Sequence, residues 1–342
     1  MHAESAAQAG QPGDTLRRIA IFGTGLLGAS VGLALRQAGF QGALIGWDPS
    51  RQTLQQARAL RAIDPPDPID PLDAPDLTDE AGHPDNIHPA ADPFICAAAA
   101  DLIVLAGPVF TIAEWLEKLA PVLSPTQLVT DVGSVKGFLV ERAGSQYNGP
   151  GQPGWLPGHP MAGKEQSGPA HAEAGLFQGA AWLFTGTQSG SDAELPTHPY
   201  SLAWQHWVRQ MGARPFTLAP DRHDVVCASV SHLPQMLATA YAAALEQQCA
   251  AGTADERALL QNIGGRALRE MTRLGASPYS MWRDIAMTNE PAIAASLLAL
   301  EQELAHLREN LRSPELRQLF ILANTFRASL TGQTVPGPAG QS

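Results

Sequence analysis

Cysteine is scarce in this chain of 342 residues: Cys96, Cys227 and Cys249 are the three it has, far apart and with no CxxC among them. An odd, scattered set of this kind suggests neither a disulfide framework nor a zinc site, so buried reduced thiols and no metal are expected. Charge is also scarce, at 16% of residues, and the positive sign is the scarcer, leaving a net charge of −11. That balance disfavours nucleic acid as a partner, because phosphates call for basic patches. An anionic small molecule stays open, since a few focused guanidinium or ammonium groups bind a carboxylate whatever the net charge. No apolar run reaches the roughly 18–20 residues that a bilayer-spanning helix needs. The opening MHAESAAQAGQPGD has neither a basic start nor an apolar stretch. No membrane segment and no secretory signal are therefore expected, and the expected compartment is the cytoplasm.

What is present divides into two differently built halves, a length that suits about two domains of roughly 100–200 residues. Residues 1–15 read as a disordered leader, 16–219 as an α/β Rossmann-type dinucleotide-binding domain, 220–331 as an all-α domain, and 332–342 as a flexible tail. In the first half, the short apolar strand Arg18–Phe22 runs straight into GTGLLG and a helical run through Ala38. A second strand, Ala43–Trp47, closes on Asp48, about 20 residues past Gly28. Strand, glycine turn, helix, strand and acid in this order form the dinucleotide fingerprint. Gly23 permits the tight turn, Gly25 admits the pyrophosphate, and Gly28 lets helix and strand pack closely. Leu26 and Leu27 open a helix whose free N–H groups face the phosphates. Asp48 accepts the ribose hydroxyls and repels the extra phosphate of NADP, so NAD is the expected cofactor.

A helix follows around Ser50–Ala62. Residues Asp64–Pro93 are then rich in Pro and Asp and poor in apolar periodicity, which reads as a solvated insertion. Strands at Asp101–Ala106 and Leu128–Thr130, with a helix at Thr111–Leu119 between them, end in Gly107-Pro108 and in Asp131 through Ser134. Ligands bind at such strand ends, so Gly107, Pro108, Asp131 and Ser134 are expected around the cofactor. Further strands of the same sheet are expected at Gly154–Gly158, Ala181–Thr185 and Arg214–Leu218, with a helix at Ser201–Met211. Beyond Pro220 the spacing is helical almost throughout: Asp221–Ala250, Asp255–Asn262, Arg266–Leu274, Ser277–Met287, Glu290–Leu311 and Ser313–Leu330. Stripes such as Ile293, Leu297, Leu300, Leu304 and Leu307 mark buried helix faces, part of them against a second copy of the chain.

The stretch GHPMAGKEQSG, Gly158–Gly168, lies where the two halves meet. Its glycines and prolines oppose a continuing helix or strand, so an open loop is expected. Pro160 restricts the backbone of His159, and an imidazole titrating near neutrality suits a general base that takes a hydroxyl proton while hydride leaves the same carbon. Lys164 and Glu165 either touch that site or form a solvated pair. His232, in SHLP, sits before Pro234, which should kink the long helix and free backbone groups for a ligand; a histidine satisfied in an interhelical core is the alternative. Arg283 is expected to be free of its neighbour Asp284, because residues at i and i+1 on a helix point apart, and so to grip a substrate carboxylate.

In order along Arg17–Leu311, the stretches GTGLLGAS, DLIVLAGPV, TDVGSVK, GHPMAGKEQSG, VSHLPQM and SPYSMWRDI resemble the prephenate/arogenate dehydrogenase family of tyrosine biosynthesis. The resemblance implies an N-terminal Rossmann-type domain and an all-α C-terminal dimerisation domain that makes a homodimer. It also implies NAD-dependent oxidative decarboxylation of prephenate or arogenate. His159 then matches the catalytic histidine, and Arg283 a residue that binds a substrate carboxylate. Ser231 and His232 match the substrate-side motif, Glu165 a residue that organises the pocket, and Arg269, more loosely, a basic substrate contact. Gly107 stands where the family carries serine, so a hydroxyl that positions His159 must come from elsewhere, Ser134 or a water. Neither a chorismate mutase nor a regulatory domain is expected. Two rival readings remain: another Rossmann-plus-helical dehydrogenase acting on a hydroxy acid, and an NAD-binding sensor without turnover.

Overall fold

The computed structural model describes residues 15–65, 92–188 and 194–331. The expected leader, the tail 332–342 and all but the ends of the 64–93 insertion lie outside the described residues. A parallel sheet begins with β1 (Arg18–Phe22), β2 (Ala43–Trp47), β3 (Leu102–Leu105), β4 (Leu128–Asp131) and β5 (Gly154–Leu156), in the spatial order β2-β1-β3-β4-β5. Every pair in it is parallel. The central strands LIVL and LVTD are buried at every position, as a sheet covered on both faces requires. Helices α1 (Leu26–Gln37), α2 (Arg51–Ala59), α3 (Pro93–Ala98), α4 (Val109–Leu119) and α5 (Gly137–Ala143) connect them. Ser50 and Asp92 cap α2 and α3 by accepting the N–H groups of Thr53 and Phe94. Strand order reverses between β1 and β3, and the crevice at their carboxyl ends is where such sheets bind ligands.

The chain then leaves this sheet, which corrects the expectation of one continuing sheet. Pro157 ends β5, and β6 (Gly158–Pro160) opens a separate three-stranded sheet with β7 (Ala181–Thr185) and β8 (Arg214–Leu218), in the order β6-β7-β8. The open loop expected at Gly158 is therefore a strand at its start. β6 is an edge strand, paired antiparallel to β7 with His159 opposite Leu183, and an edge is where a strand containing proline is tolerated. Glycine is needed at 158 because a Cβ there would lie 2.7 Å from the carbonyl oxygen of Asp131. That close approach brings His159 beside the end of β4.

After α6 (Pro199–Gln210) and β8 the described chain is helical, as expected: α7 (Pro220–Cys227), α8 (Leu233–Ala251), α9 (Ala254–Ile263), α10 (Arg266–Thr272), α11 (Tyr279–Thr288), α12 (Glu290–Glu309) and α13 (Glu315–Thr331). The single long helix expected over Asp221–Ala250 is interrupted by a π turn, Ala228–His232, directly before Pro234 in the first turn of α8. A proline without an N–H and a wider turn ahead of it are the expected physical causes of such a kink. The chain divides into two compact units, Met1–Glu290 and Pro291–Ser342, a boundary later than the change of pattern at Pro220. In the second unit Ile293 is buried, while Leu304 and Leu307 on α12, Leu311 after it, and Phe320 and Phe326 on α13 are exposed in the single chain; the expectation placed part of this stripe against a second copy.

Candidate active site

The glycine turn after β1 has the shape of a dinucleotide cradle. Gly23 sits at φ +90°, and a Cβ on Gly28 would lie 1.9 Å from the carbonyl oxygen of Gly23, so both are required by the backbone itself. Gly25 is different: a Cβ there would meet nothing within 4 Å. Packing within the chain does not demand glycine at 25, whereas a phosphate approaching the backbone does. The turn of α1 that begins at Leu26 and Leu27 has no side-chain cap and no acidic residue, which leaves its N–H groups for an anion. Asp48 closes β2 at the same crevice. Its Oδ2 accepts the Thr24 amide at 2.8 Å and the Thr24 hydroxyl at 3.2 Å, and its Oδ1 accepts the Ser50 amide at 2.9 Å. A carboxylate takes about four hydrogen bonds, so Oδ1 retains capacity for a ribose hydroxyl. Gly107 and Pro108 border this crevice at the end of β3, and Ser134 is half-buried beyond β4.

Asp131, expected around the cofactor, has its carboxylate engaged by the chain itself. Its fully buried carboxylate forms an ion pair with the equally buried Lys136 and accepts the amide of Gly133 at 2.8 Å. The indole of Trp155 and the amide of Gly158 also donate to it, at 3.3 and 3.4 Å. In a dry interior an anion needs such partners.

Around His159 the structure gathers residues that sequence reasoning passed over. Asp224, on α7, accepts the amides of Lys136 and Gly137 at 2.8 Å each and so caps α5, which has no side-chain cap of its own. The Nδ1 of His223 lies 2.8 Å from Asp224 Oδ1, and its Nε2 lies 2.9 Å from Nδ1 of His159. Cys227, one helical turn beyond His223, sets its sulfur 3.5 Å from His223 Nε2 and 3.7 Å from His159 Nδ1. These three donor atoms lie within 4.8 Å of one another, a soft-donor grouping that the cysteine spacing did not suggest. The spacing His223-Asp-Val-Val-Cys227, with His and Cys on one helical face, was the available signal. Burial pushes the Cys227 thiol up to about 12, so it is an inert neighbour. Cys96 is buried too, while Cys249 is only half-buried; none of the three is in a disulfide among the described residues.

Burial also holds the imidazoles neutral. His159 is driven well below the ordinary imidazole range by burial first, then by His223, Lys136 and His232. His223 is lowered by burial against the opposing hydrogen bond from Asp224. Burial lowers His232 to about 4. Asn289 donates to the Asp224 carbonyl at 2.9 Å, and its Nδ2 lies 3.2 Å from His232 Nδ1. His232 Nε2 then carries the proton, and that buried nitrogen has no hydrogen-bond partner. An orphaned donor in the interior is costly unless something absent from the chain accepts from it.

The remaining expected residues are more exposed. Ser231 is half-buried in the π turn beside His232. Glu165 forms an ion pair with Arg273 of the turn after α10, and Lys164 pairs with Glu173 at 2.6 Å. Arg269 is exposed on α10. Arg283 is not free of Asp284: its Nε and an NH2 group donate to Asp284 Oδ1 at 2.8 and 2.6 Å. The Cβ atoms of adjacent residues do diverge, but the guanidinium is long enough to fold back onto a carboxylate that is itself 4% exposed. With its own side chain 50% exposed, Arg283 keeps further N–H groups available to a ligand.

Comparison with known proteins gives two family matches: prephenate dehydrogenase, nucleotide-binding domain, over residues 73–197, and prephenate dehydrogenase, dimerization domain, over residues 219–324. The chain is 27% identical to a prephenate dehydrogenase of Lactococcus lactis, covering 86% of this chain and 70% of that one. It is also 27% identical to a cyclohexadienyl dehydrogenase of Zymomonas mobilis, covering 87% and 90%. Among solved structures, prephenate dehydrogenase from A. aeolicus in complex with hydroxyphenyl propionate and NAD+ matches with TM-score 0.73 and 26% identity, over 92% of this chain and 99% of that one. An arogenate dehydrogenase of Synechocystis matches with TM-score 0.66 and 30% identity over the same shares.

The depressed histidines make stability depend on pH. Above the unfolded value near 6.5 both states are neutral and the shifts contribute nothing. As pH falls below 6.5 the unfolded chain takes up protons that the buried rings refuse, so stability is lost on acidification, and for His232 the loss continues down to about pH 4. Its share is on the order of 3 kcal/mol over that window. Urea unfolding should show a lower midpoint at pH 5 than at pH 7, with a shallower drop in His232→Gln. Equal slopes in the two proteins would contradict the buried, neutral assignment.

Proposed function

The chain belongs to the prephenate dehydrogenase family, and from that premise we propose that it is an NAD-dependent prephenate dehydrogenase, with 4-hydroxyphenylpyruvate as product. The observation that carries this reading is the neutral His159, seated at the edge of the second sheet with Nδ1 engaged and Nε2 making no hydrogen bond among the described residues. NAD, which the glycine turn Gly23–Gly28 and Asp48 would hold, would supply the acceptor for the hydride of the ring carbon that bears the hydroxyl. His159 accepts the hydroxyl proton at Nε2, a role that needs a neutral imidazole. Loss of the ring carboxylate as carbon dioxide sends its electron pair through the ring to the former carbonyl oxygen, which takes back the proton from His159, and the aromatic ring that forms drives the step. The chain supplies orientation, a base and anchors. The unpartnered Nε2–H of His232 and the guanidinium of Arg283 are the donors for substrate oxygens, with Ser231, Glu165 and Arg269 at the rim. Asp48 favours NAD over NADP by charge repulsion. A second reading, arogenate converted to tyrosine or use of both substrates, is favoured by the likeness to the Synechocystis arogenate dehydrogenase. The two substrates differ only in a side-chain keto or amino group.

The deciding assay is NADH formation from each substrate, and with NAD against NADP. Prephenate and NAD should give the highest kcat/KM, and His159→Asn should lower kcat by about 10²–10⁴-fold. Turnover of neither substrate by the folded wild type would sink the proposal.

Arg283 should act mainly on binding. Its loss in Arg283→Ala should weaken substrate affinity by about 1.5–3 kcal/mol, read as a raised KM at saturating NAD. Arg283→Lys should bind poorly as well, because an ammonium lacks the planar fork. A wild-type KM in both folded variants would assign Arg283 to pairing with Asp284 alone.

The exposed Leu304, Leu307, Leu311 and Phe320 of a segment that matches a dimerization domain support a homodimer. Light scattering should give twice the chain mass. A single-chain mass at micromolar concentration would refute it.

A further inference from the structure

We infer that His223 and Asp224 are positioning residues that hold His159 in the one neutral tautomer able to act as a base, an inference that rests on the reading of His159 as the proton acceptor. The direction of each hydrogen bond follows from donors that have no choice. The amides of Lys136 and Gly137 can only donate, and they occupy both oxygens of Asp224. Asp224 is therefore an acceptor toward His223, whose Nδ1 carries the proton at 2.8 Å. In the neutral ring the other nitrogen, Nε2, is then a lone pair. It faces Nδ1 of His159 at 2.9 Å, so that nitrogen must be the donor. A neutral His159 protonated on Nδ1 has its lone pair on Nε2, free for the substrate hydroxyl.

The opposite polarity needs an additional proton on the dyad. Burial and the nearby Lys136 ammonium lower both rings, which opposes that proton. Neither Gly107, which has no side chain, nor Ser134 makes a hydrogen bond to His159 among the described residues. The imidazole of His223 thus does what a hydroxyl from either place would have done. When Nε2 takes the substrate proton, the imidazolium forms with its Nδ1–H already directed at His223 and, through it, at the Asp224 carboxylate. No further proton has to move. An Asp-His-His series orders the base as the carboxylate of a hydrolase triad orders its histidine, where the wrong tautomer costs about 10⁴ in rate. Cys227 closes the remaining side of the pair; its protonated thiol is a weak donor at 3.5 Å from His223 Nε2, against 2.9 Å for His159 Nδ1.

The test compares His223→Leu, which removes the acceptor, with His223→Gln, whose amide oxygen can still accept from Nδ1–H. His223→Leu should lower kcat about 10²–10³-fold with KM for substrate and NAD within about 2-fold of wild type. His223→Gln should recover most of that loss. Nitrogen-15 NMR of the histidine rings, without substrate, should give His159 as the Nδ1–H tautomer in the wild type. A folded His223→Leu protein with wild-type kcat, or an Nε2–H tautomer for wild-type His159, would overturn the inference. Inactivity of the wild type would count against the proposed reaction instead, and the NMR result would still decide the tautomer. If His223→Leu does not fold, His223→Gln and the wild-type spectrum carry the same decision.

Discussion

Asp224 receives four groups, three at its carboxylate and one at its carbonyl, and the rest of the site depends on that convergence. The backbone of Lys136 and Gly137 brings the start of α5 to it, while His223 and, through the Asp224 carbonyl, Asn289 bring α7 and the end of α11. A buried anion without such donors would be expelled or neutralised. The helix start it caps has equally few alternatives, because Lys136 offers no side-chain cap. Each side satisfies what the other lacks, so the geometry around His159 is over-determined.

Lys136 makes the arrangement electrostatically consistent. Its backbone amide donates to Asp224 and its ammonium pairs with Asp131. The ammonium therefore sits beside the imidazoles as a fixed positive charge and discourages their protonation. Burial acts in the same direction. The imidazole proposed as the base is kept neutral at neutral pH by its surroundings, at a cost in stability that appears only on acidification. The two sheets meet at the same place, since Gly158 packs on Asp131 and carries the adjacent His159 with it.

The second histidine depends on a local irregularity. A regular helix through Ala228–His232 would hold its side chains at the usual spacing; the π turn ahead of Pro234 shifts them and leaves His232 buried with one nitrogen satisfied by Asn289 and the other orphaned. Irregular turns of this kind cluster at functional positions because strain or lost hydrogen bonds are tolerated only where the surroundings compensate.

Much was legible in the sequence alone. The apolar strands, the glycine turn and Asp48 are short-range patterns, and the structure arranges them as the pattern implies. The helical periodicity after Pro220 and the kink at Pro234 are of the same kind, because spacing within a segment reports that segment's faces. His159, His232 and Arg283 stood out because glycine and proline neighbours mark unusual backbone. What the sequence did not disclose depends on distance in space. Nothing in the order of residues says that β6 leaves the first sheet for a second, that Asp131 turns inward to Lys136, or that Arg283 folds back on Asp284. Above all, His223 reaches His159 from 64 positions away. Hydrogen-bond direction, burial and the resulting protonation state are properties of that meeting. The sequence singled out His159, but only the tertiary structure shows which of its ring nitrogens faces His223 and which makes no hydrogen bond among the described residues.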